Sequence, residues 1–384
     1  MRRAQRRNDL AMVIYAALSL QLACSTAVFA AEQAPAQRRV QQLVDGARKE
    51  GQVNLFLVTS LSDRGAKELN QAFNKRFGLN VKFNSTLGDA SRQFSQTVQE
   101  LKIGLPPSFD GMYVSETFVF QLLAEGGIER VEGWEELLKE ISPEAYAVRD
   151  RVSPLDLSGS AFAWGTRAKV MNYNTNLITE KELPKTRVEM GDPKYAGMYF
   201  MPPFITDAEY GILAYPKDKW LEVVRTWGKS KPTILAYEAG LQRMLLGEFK
   251  FAPSNDYYMF KYKSRDTKTP IGLAYYGDLT PLTYAWHVVR KNARNPNAAK
   301  LFALWATSSE ANQIFENLEY AATGNMLLKT GPMSRLISQS LERQNIKPVS
   351  WWDSKKNQDL LRWYATDEGR AYSRELSAAQ SGRK

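Results

Sequence analysis

The segment from residue 53 to residue 123 alternates short apolar runs with helical periodicity, and this alternation restricts the fold more than any other feature of the chain. Val53, Leu55, Phe56, Leu57 and Val58 form a compact apolar run suited to a buried strand. Ala66, Leu69, Phe73 and Phe77 then recur at helical spacing until Gly78 stops the helix. A strand resumes over residues 81–83, a polar turn follows at residues 84–89, and a helix is expected around Phe94, Val98 and Leu101. Residues 110–114 read as a third strand and residues 118–123 as the next helix. Strand, helix, strand in this order calls for a parallel sheet covered on both faces. Ligands of such sheets bind beyond the carboxyl ends of strands, where Ser60, Ser62, Ser115 and Glu116 fall.

A second unit of similar type begins near Gly165. Residues 169–174 read as a strand leaving the first unit, and residues 199–201 as another, ended by Pro202 and Pro203. Trp220, Val223, Val224 and Trp227 mark an amphipathic helix, and Leu241, Met244 and Leu245 a further one. Residues 251–258 are expected as strand and turn, and residues 271–276 and 282–289 as strands returning to the first unit. Pro296 opens a helix through Phe302 and Trp305, and Ser308 starts the next. The remainder, with Trp351, Trp352 and Trp363, reads as a helical segment packed on the surface. A unit entered and left by separate strands implies two hinged lobes around a cleft, a common place for small-ligand sites. The expected division is residues 31–165 with 284–384 for lobe 1 and residues 166–283 for lobe 2.

Ahead of this pattern lies a targeting segment. Arg2, Arg3, Arg6 and Arg7 precede an apolar run at residues 11–22, and Val28, Phe29 and Ala30 give small residues at the expected cleavage positions. Residues 1–30 are therefore expected to be a cleaved signal peptide. Anchoring as a lipoprotein through Cys24 is disfavoured by Gln21, and a twin-arginine signal by Asp9. Cys24 is the only cysteine, so cleavage after Ala30 would leave a chain without disulfides, cysteine zinc sites or cysteine nucleophiles.

The whole chain carries 51 basic and 41 acidic side chains, and without residues 1–30 these become 47 and 40, a net charge of +7. This surplus is spread along the chain without a basic run interleaved with aromatics, so no nucleic-acid partner is expected. Tyr257 and Tyr258, just downstream of Gln242, Gly247 and Glu248, offer two hard phenolate oxygens at one point. Such donors suit highly charged cations; a tyrosine pair is also an ordinary packing element.

The order of these residues resembles the periplasmic solute-binding proteins of ABC importers, most closely their ferric-ion-binding branch. The resemblance runs from about residue 51 to about residue 315. Phe73 with Gly78, Asn84 and Ser85 with Gly88 and Asp89, and Gly165, Thr166 and Arg167 carry it. Asp192, Pro193 and Lys194, the Gln242 to Tyr258 group, and Pro296, Asn297, Ala298 and Ala299 add to it. It implies an α/β, type II-like binding-protein fold, each lobe a mixed, mainly parallel sheet flanked by helices. It further implies a periplasmic, monomeric, non-enzymatic receptor that delivers a solute to a membrane permease.

In the iron-binding relatives two consecutive tyrosines, a glutamate and a histidine hold the metal, with a bound anion completing the shell. Tyr257 and Tyr258 match the tyrosines, Glu116 falls within one residue of the glutamate, where Ser115 aligns, and Ser62 takes the histidine's place. Asn255 matches an asparagine that contacts the anion, Tyr237 replaces a second one, and Phe204 and Ile205 replace a small polar pair. Thr206 and Asp207 could cap the following helix and leave amides facing an anion. The transported ligand implied is Fe(III) with a bound anion. On the same scaffold, a small organic or phosphorylated anion could instead pack against Tyr237, Tyr257 and Tyr258 and pair with Arg167. A secreted hydrolase is the third reading; Asp110 and Glu116 are available carboxylates, but no nucleophile elbow, His-rich metal motif or Gly-rich phosphate loop accompanies them. The lone histidine, His287, is expected to be a packed residue within a strand.

Overall fold

The computed structural model describes residues 35–382 apart from 59, 89, 204–205, 318 and 320–322. The expected signal peptide, with Cys24, lies outside the described residues. A helix at Pro35–Glu50 leads into strand β1 (Gln52–Val58). Next comes the helix Asp63–Phe77, opened by Ser62, which accepts a hydrogen bond from the Gly65 amide. It is closed by Gly78 at φ 60°, a left-handed conformation that costs glycine little. Strand β2 (Lys82–Gly88) runs through the segment expected to turn. It lies at the sheet edge, paired only with β1, and its half-exposed positions accept Asn84 and Ser85 and an exposed one Thr86. Strand β3 is Gly111–Val114, followed by the helix Glu116–Ala124 and the short β4 (Ile128–Glu129).

One strand then ties the molecule together. β5 spans Ala161–Asn174, and every position but Arg167 is buried. Its first part pairs antiparallel with β10 (Leu282–Arg290), and its second part with β8 (Phe251–Asn255) and β9 (Ile271–Ala274). The main sheet runs β2-β1-β3-β10-β5-β8, while β6 (Phe200–Met201) and β7 (Thr233–Ile234) form a small parallel pair. Parallel pairing in the main sheet is thus confined to β1 with β2 and β3, and the strands that cross between lobes are antiparallel to their neighbours. Two lobes result, joined where β5 and β10 pass from one to the other.

Each lobe has its own aromatic core. In the first, Phe73 meets Phe77, Phe83, Phe302 and Trp305 at centroid distances of 5.2–6.2 Å. His287 is sealed between Trp164 and Phe302, and burial lowers its pKa to about 3, so it is a neutral packing residue. In the second, Trp220 and Trp227 of the helix Lys217–Lys229 pack edge to face, each fully buried. Burying one such aromatic side chain contributes about 1.5–3 kcal/mol.

The C-terminal segment departs from expectation. Trp351 and Trp352 are buried, not superficial. Val349 first joins the crossing point, accepting from the Leu282 amide and donating to the Thr280 carbonyl. The helices Lys355–Trp363 and Asp367–Gln380 then pass onto the second lobe. There Tyr364 donates to the Glu209 carbonyl, Tyr372 to that of Lys217 and Gln380 to that of Pro202. Gly228 is required beneath the last helix, because a Cβ would lie 1.9 Å from the Ala379 carbonyl oxygen. Among the described residues no helix is long and apolar enough to cross a membrane.

Candidate functional site

β5 carries Arg167 and Lys169 two residues apart, hence on one face of the strand, at the passage between lobes. Lys169 lies opposite Asn255, the last residue of β8. The chain then turns through Asp256 into the helix Tyr257–Arg265. Tyr257 and Tyr258 therefore open a helix, where a strand and turn were expected. Asp256 fixes that turn: its Oδ2 accepts from the Ala168 amide and its Oδ1 from the Tyr257 amide, at 2.9 and 2.8 Å. Burial pushes its pKa up to about 7, opposed by those amides and by Arg167 and Lys169.

The two tyrosine rings lie with centroids 4.3 Å apart, and Tyr237 lies 6.1 Å from Tyr258. The Lys169 ammonium donates to the Tyr237 hydroxyl at 3.2 Å. Arg167 donates through Nη1 to the Tyr113 hydroxyl at 3.0 Å, and its Cζ stands 5.5 Å from the centre of that ring. Its Nε and Nη2 are shielded from solvent and have no hydrogen-bond partner, as has Asn255 Oδ1. Burial works against the guanidinium charge, but the neighbouring Tyr113, Tyr257 and Tyr258 hold Arg167 above its ordinary value. Burial likewise raises both phenols of the pair, with Arg167 acting in the opposite sense. Arg167, Asn255, Tyr257, Tyr258 and Tyr237 are thus brought together.

Glu116 is engaged elsewhere. One carboxylate oxygen accepts from the Trp352 indole at 2.8 Å and the Tyr284 amide at 2.9 Å, and the other from the Tyr210 hydroxyl. Burial raises its pKa to about 8, against these donors. With both oxygens accepting hydrogen bonds, it is a bolt between the first lobe, the second lobe and the C-terminal segment. Ser62 caps its helix through Gly65, and Ser60 shares a 3.2 Å hydrogen bond with Thr323. Ser115 precedes its helix without a side-chain cap. Thr206 opens the short helix Thr206–Glu209, but its side chain, with Phe204, Ile205 and the Asp207 side chain, lies outside the described residues. Among the described residues no group of three or more His, Cys, Asp or Glu side chains could hold a metal ion. Sequence reasoning missed Tyr113, Lys169 and Asp256. The Arg167, Lys169 alternation, the two charged residues of β5, was the available signal for Lys169.

Two lobes joined by crossing strands, with buried cations and phenols where they meet, are an architecture compatible with a solute-binding protein. Residues 68–323 match the family model described as bacterial extracellular solute-binding protein, and the chain belongs to that family. Among solved structures it is similar to iron-bound HitA from Pseudomonas aeruginosa, at 19% identity and TM-score 0.56, covering 76% of this chain and 99% of that one. It is similar to the Atu4243-GABA receptor at 14% identity and TM-score 0.63, covering 86% and 98% respectively. A third is the substrate-binding protein of an ABC transporter from Agrobacterium tumefaciens, at 15% identity and TM-score 0.58, covering 87% and 96%. At these identities the likeness shows the fold. No curated protein matches the chain in sequence.

Proposed function

We propose that the protein is the periplasmic substrate-binding receptor of an ABC importer, and that it carries a small organic or phosphorylated anion between its lobes to a membrane permease. Arg167 carries this reading. A guanidinium shielded from water, with two nitrogens unpartnered, is costly unless an anion supplies what the protein does not. Asp256 lies within its electrostatic reach, but both Asp256 oxygens already serve backbone amides. Export through residues 1–30 belongs to the same proposal.

A second reading, ferric iron, is favoured by the meeting of Tyr257 and Tyr258, since a bound trivalent cation draws phenols into their phenolate form. Arg167 and Lys169 beside the pair oppose a bare cation there, so iron would have to enter with an anion. Thermal unfolding of the purified protein separates the two. Stabilisation by organic anions or phosphate esters, with none by chelated ferric ion, supports the first reading. A phenolate-to-iron charge-transfer band with no response to the anions alone would replace it with the second.

A further inference from the structure

The way Arg167 is held says more about the solute. A guanidinium presents its N–H groups along distinct edges, and the edge made by Nε and one Nη offers two parallel donors that match both oxygens of a carboxylate or phosphoryl group. Here Nη1 is spent on the Tyr113 hydroxyl, while Nε and Nη2 are the two nitrogens left without partners. Tyr113 is itself fixed. It sits in β3, opposite His287 of β10, is buried, and meets Trp164 edge to face at 6.1 Å. The titratable groups near Arg167 are the phenols of Tyr257 and Tyr258, which burial keeps protonated, the Asp256 carboxyl and, two residues along the strand, the Lys169 ammonium; none of them is a hydrogen-bond partner of Nε or Nη2.

We propose, resting on the anion reading above, that the solute is anchored by an anion with two oxygens on one centre, taken side-on by the Nε and Nη2 edge of Arg167, and that Tyr113 is the positioning residue that turns this edge toward the solute. Tyr113 never touches the solute in this arrangement; its hydroxyl holds the far side of the guanidinium. Lysine could keep the charge at position 167 but not the paired donors.

The test uses formate, the smallest carboxylate, and inorganic phosphate, with chloride at matched ionic strength as the point-charge control. The Nε–H resonance of Arg167 is followed by NMR in arginine-labelled protein, with assignment by Arg167→Lys, and affinities come from the titrations. A saturable shift with formate or phosphate and none with chloride is expected. Whichever of the two binds more tightly tells a carboxylate solute from a phosphorylated one. Tyr113→Phe removes one hydrogen bond to a charged group and should weaken binding roughly 10-fold or more, with the circular-dichroism spectrum of the folded parent retained. Arg167→Lys should abolish the two-oxygen preference as read by thermal shift. If chloride matches formate and phosphate, or Tyr113→Phe binds like the parent, the side-on arrangement is overturned while the anion reading stands. If no anion perturbs Arg167, both fall.

Discussion

Glu116 shows how a residue's partners decide its role. A carboxylate close in sequence to a metal-ligand position is used here to bolt Trp352, Tyr284 and Tyr210 together. It has company: burial raises Glu209 to about 7, against Lys169, and Asp256 to about 7. All three lie above their unfolded values of 4.5, 4.5 and 3.8, so the folded chain holds protons that the unfolded chain releases. The stability this gives is complete below the unfolded values and is lost as pH rises through 7 and 8. Calorimetric melting temperatures should therefore fall between pH 5 and 9. Glu116→Gln, which keeps an acceptor for Trp352 and cannot ionise, should flatten the upper part of that decline. A melting temperature that climbed across this window would show that the burial of these carboxyls has been misjudged.

The turn from β8 into the helix Tyr257–Arg265 depends on one side chain, because Asp256 ties the helix start to β5 through two amides. Asp256→Ala would leave the Ala168 and Tyr257 amides buried without acceptors, at about 1–3 kcal/mol each. Urea titration should show a loss of this order, and a cost near zero would mean that water replaces the carboxylate. Most elements could be read directly from the chain: the helix Asp63–Phe77, with its Ser62 cap and Gly78 stop, follows from local chemistry. Less legible was β2, where polar Asn84 to Thr86 look like a turn unless one knows that an edge strand leaves them half-exposed or exposed. Tyr257 and Tyr258 were legible as a pair, but their place at a helix start was not, since that follows from a carboxylate reaching across to another strand. Tyr113 had no local signal; its role arises only when β3 and β5 meet either side of β10.

The two-lobed plan was legible from the order of strands and helices, whereas the destination of the last 30 or so residues was not, because amphipathic spacing says that a helix packs and not on what. Burial of Tyr372, Leu376 and Ala379 against the second lobe makes the final helix part of that lobe's core. Deleting the chain from residue 366 onward should lower the melting temperature by several degrees at least, each lost kcal/mol being worth roughly 2–4 °C. It should also create binding sites for a hydrophobic dye over Trp220 and Trp227. An unchanged melting curve would make the segment an appendage.

The position of β10 has a further consequence, for biosynthesis. Since β10 lies between β3 and β5, the first sheet lacks its central member until residue 290 has been made, and the second lobe lacks its closing helix until residue 380. Such distant pairings delay folding until nearly the whole polypeptide is available. A nascent chain arrested at residue 280 should accordingly be digested rapidly by protease, whereas the released protein resists. Topology alone would then leave the apolar strands of both lobes exposed for as long as synthesis continues.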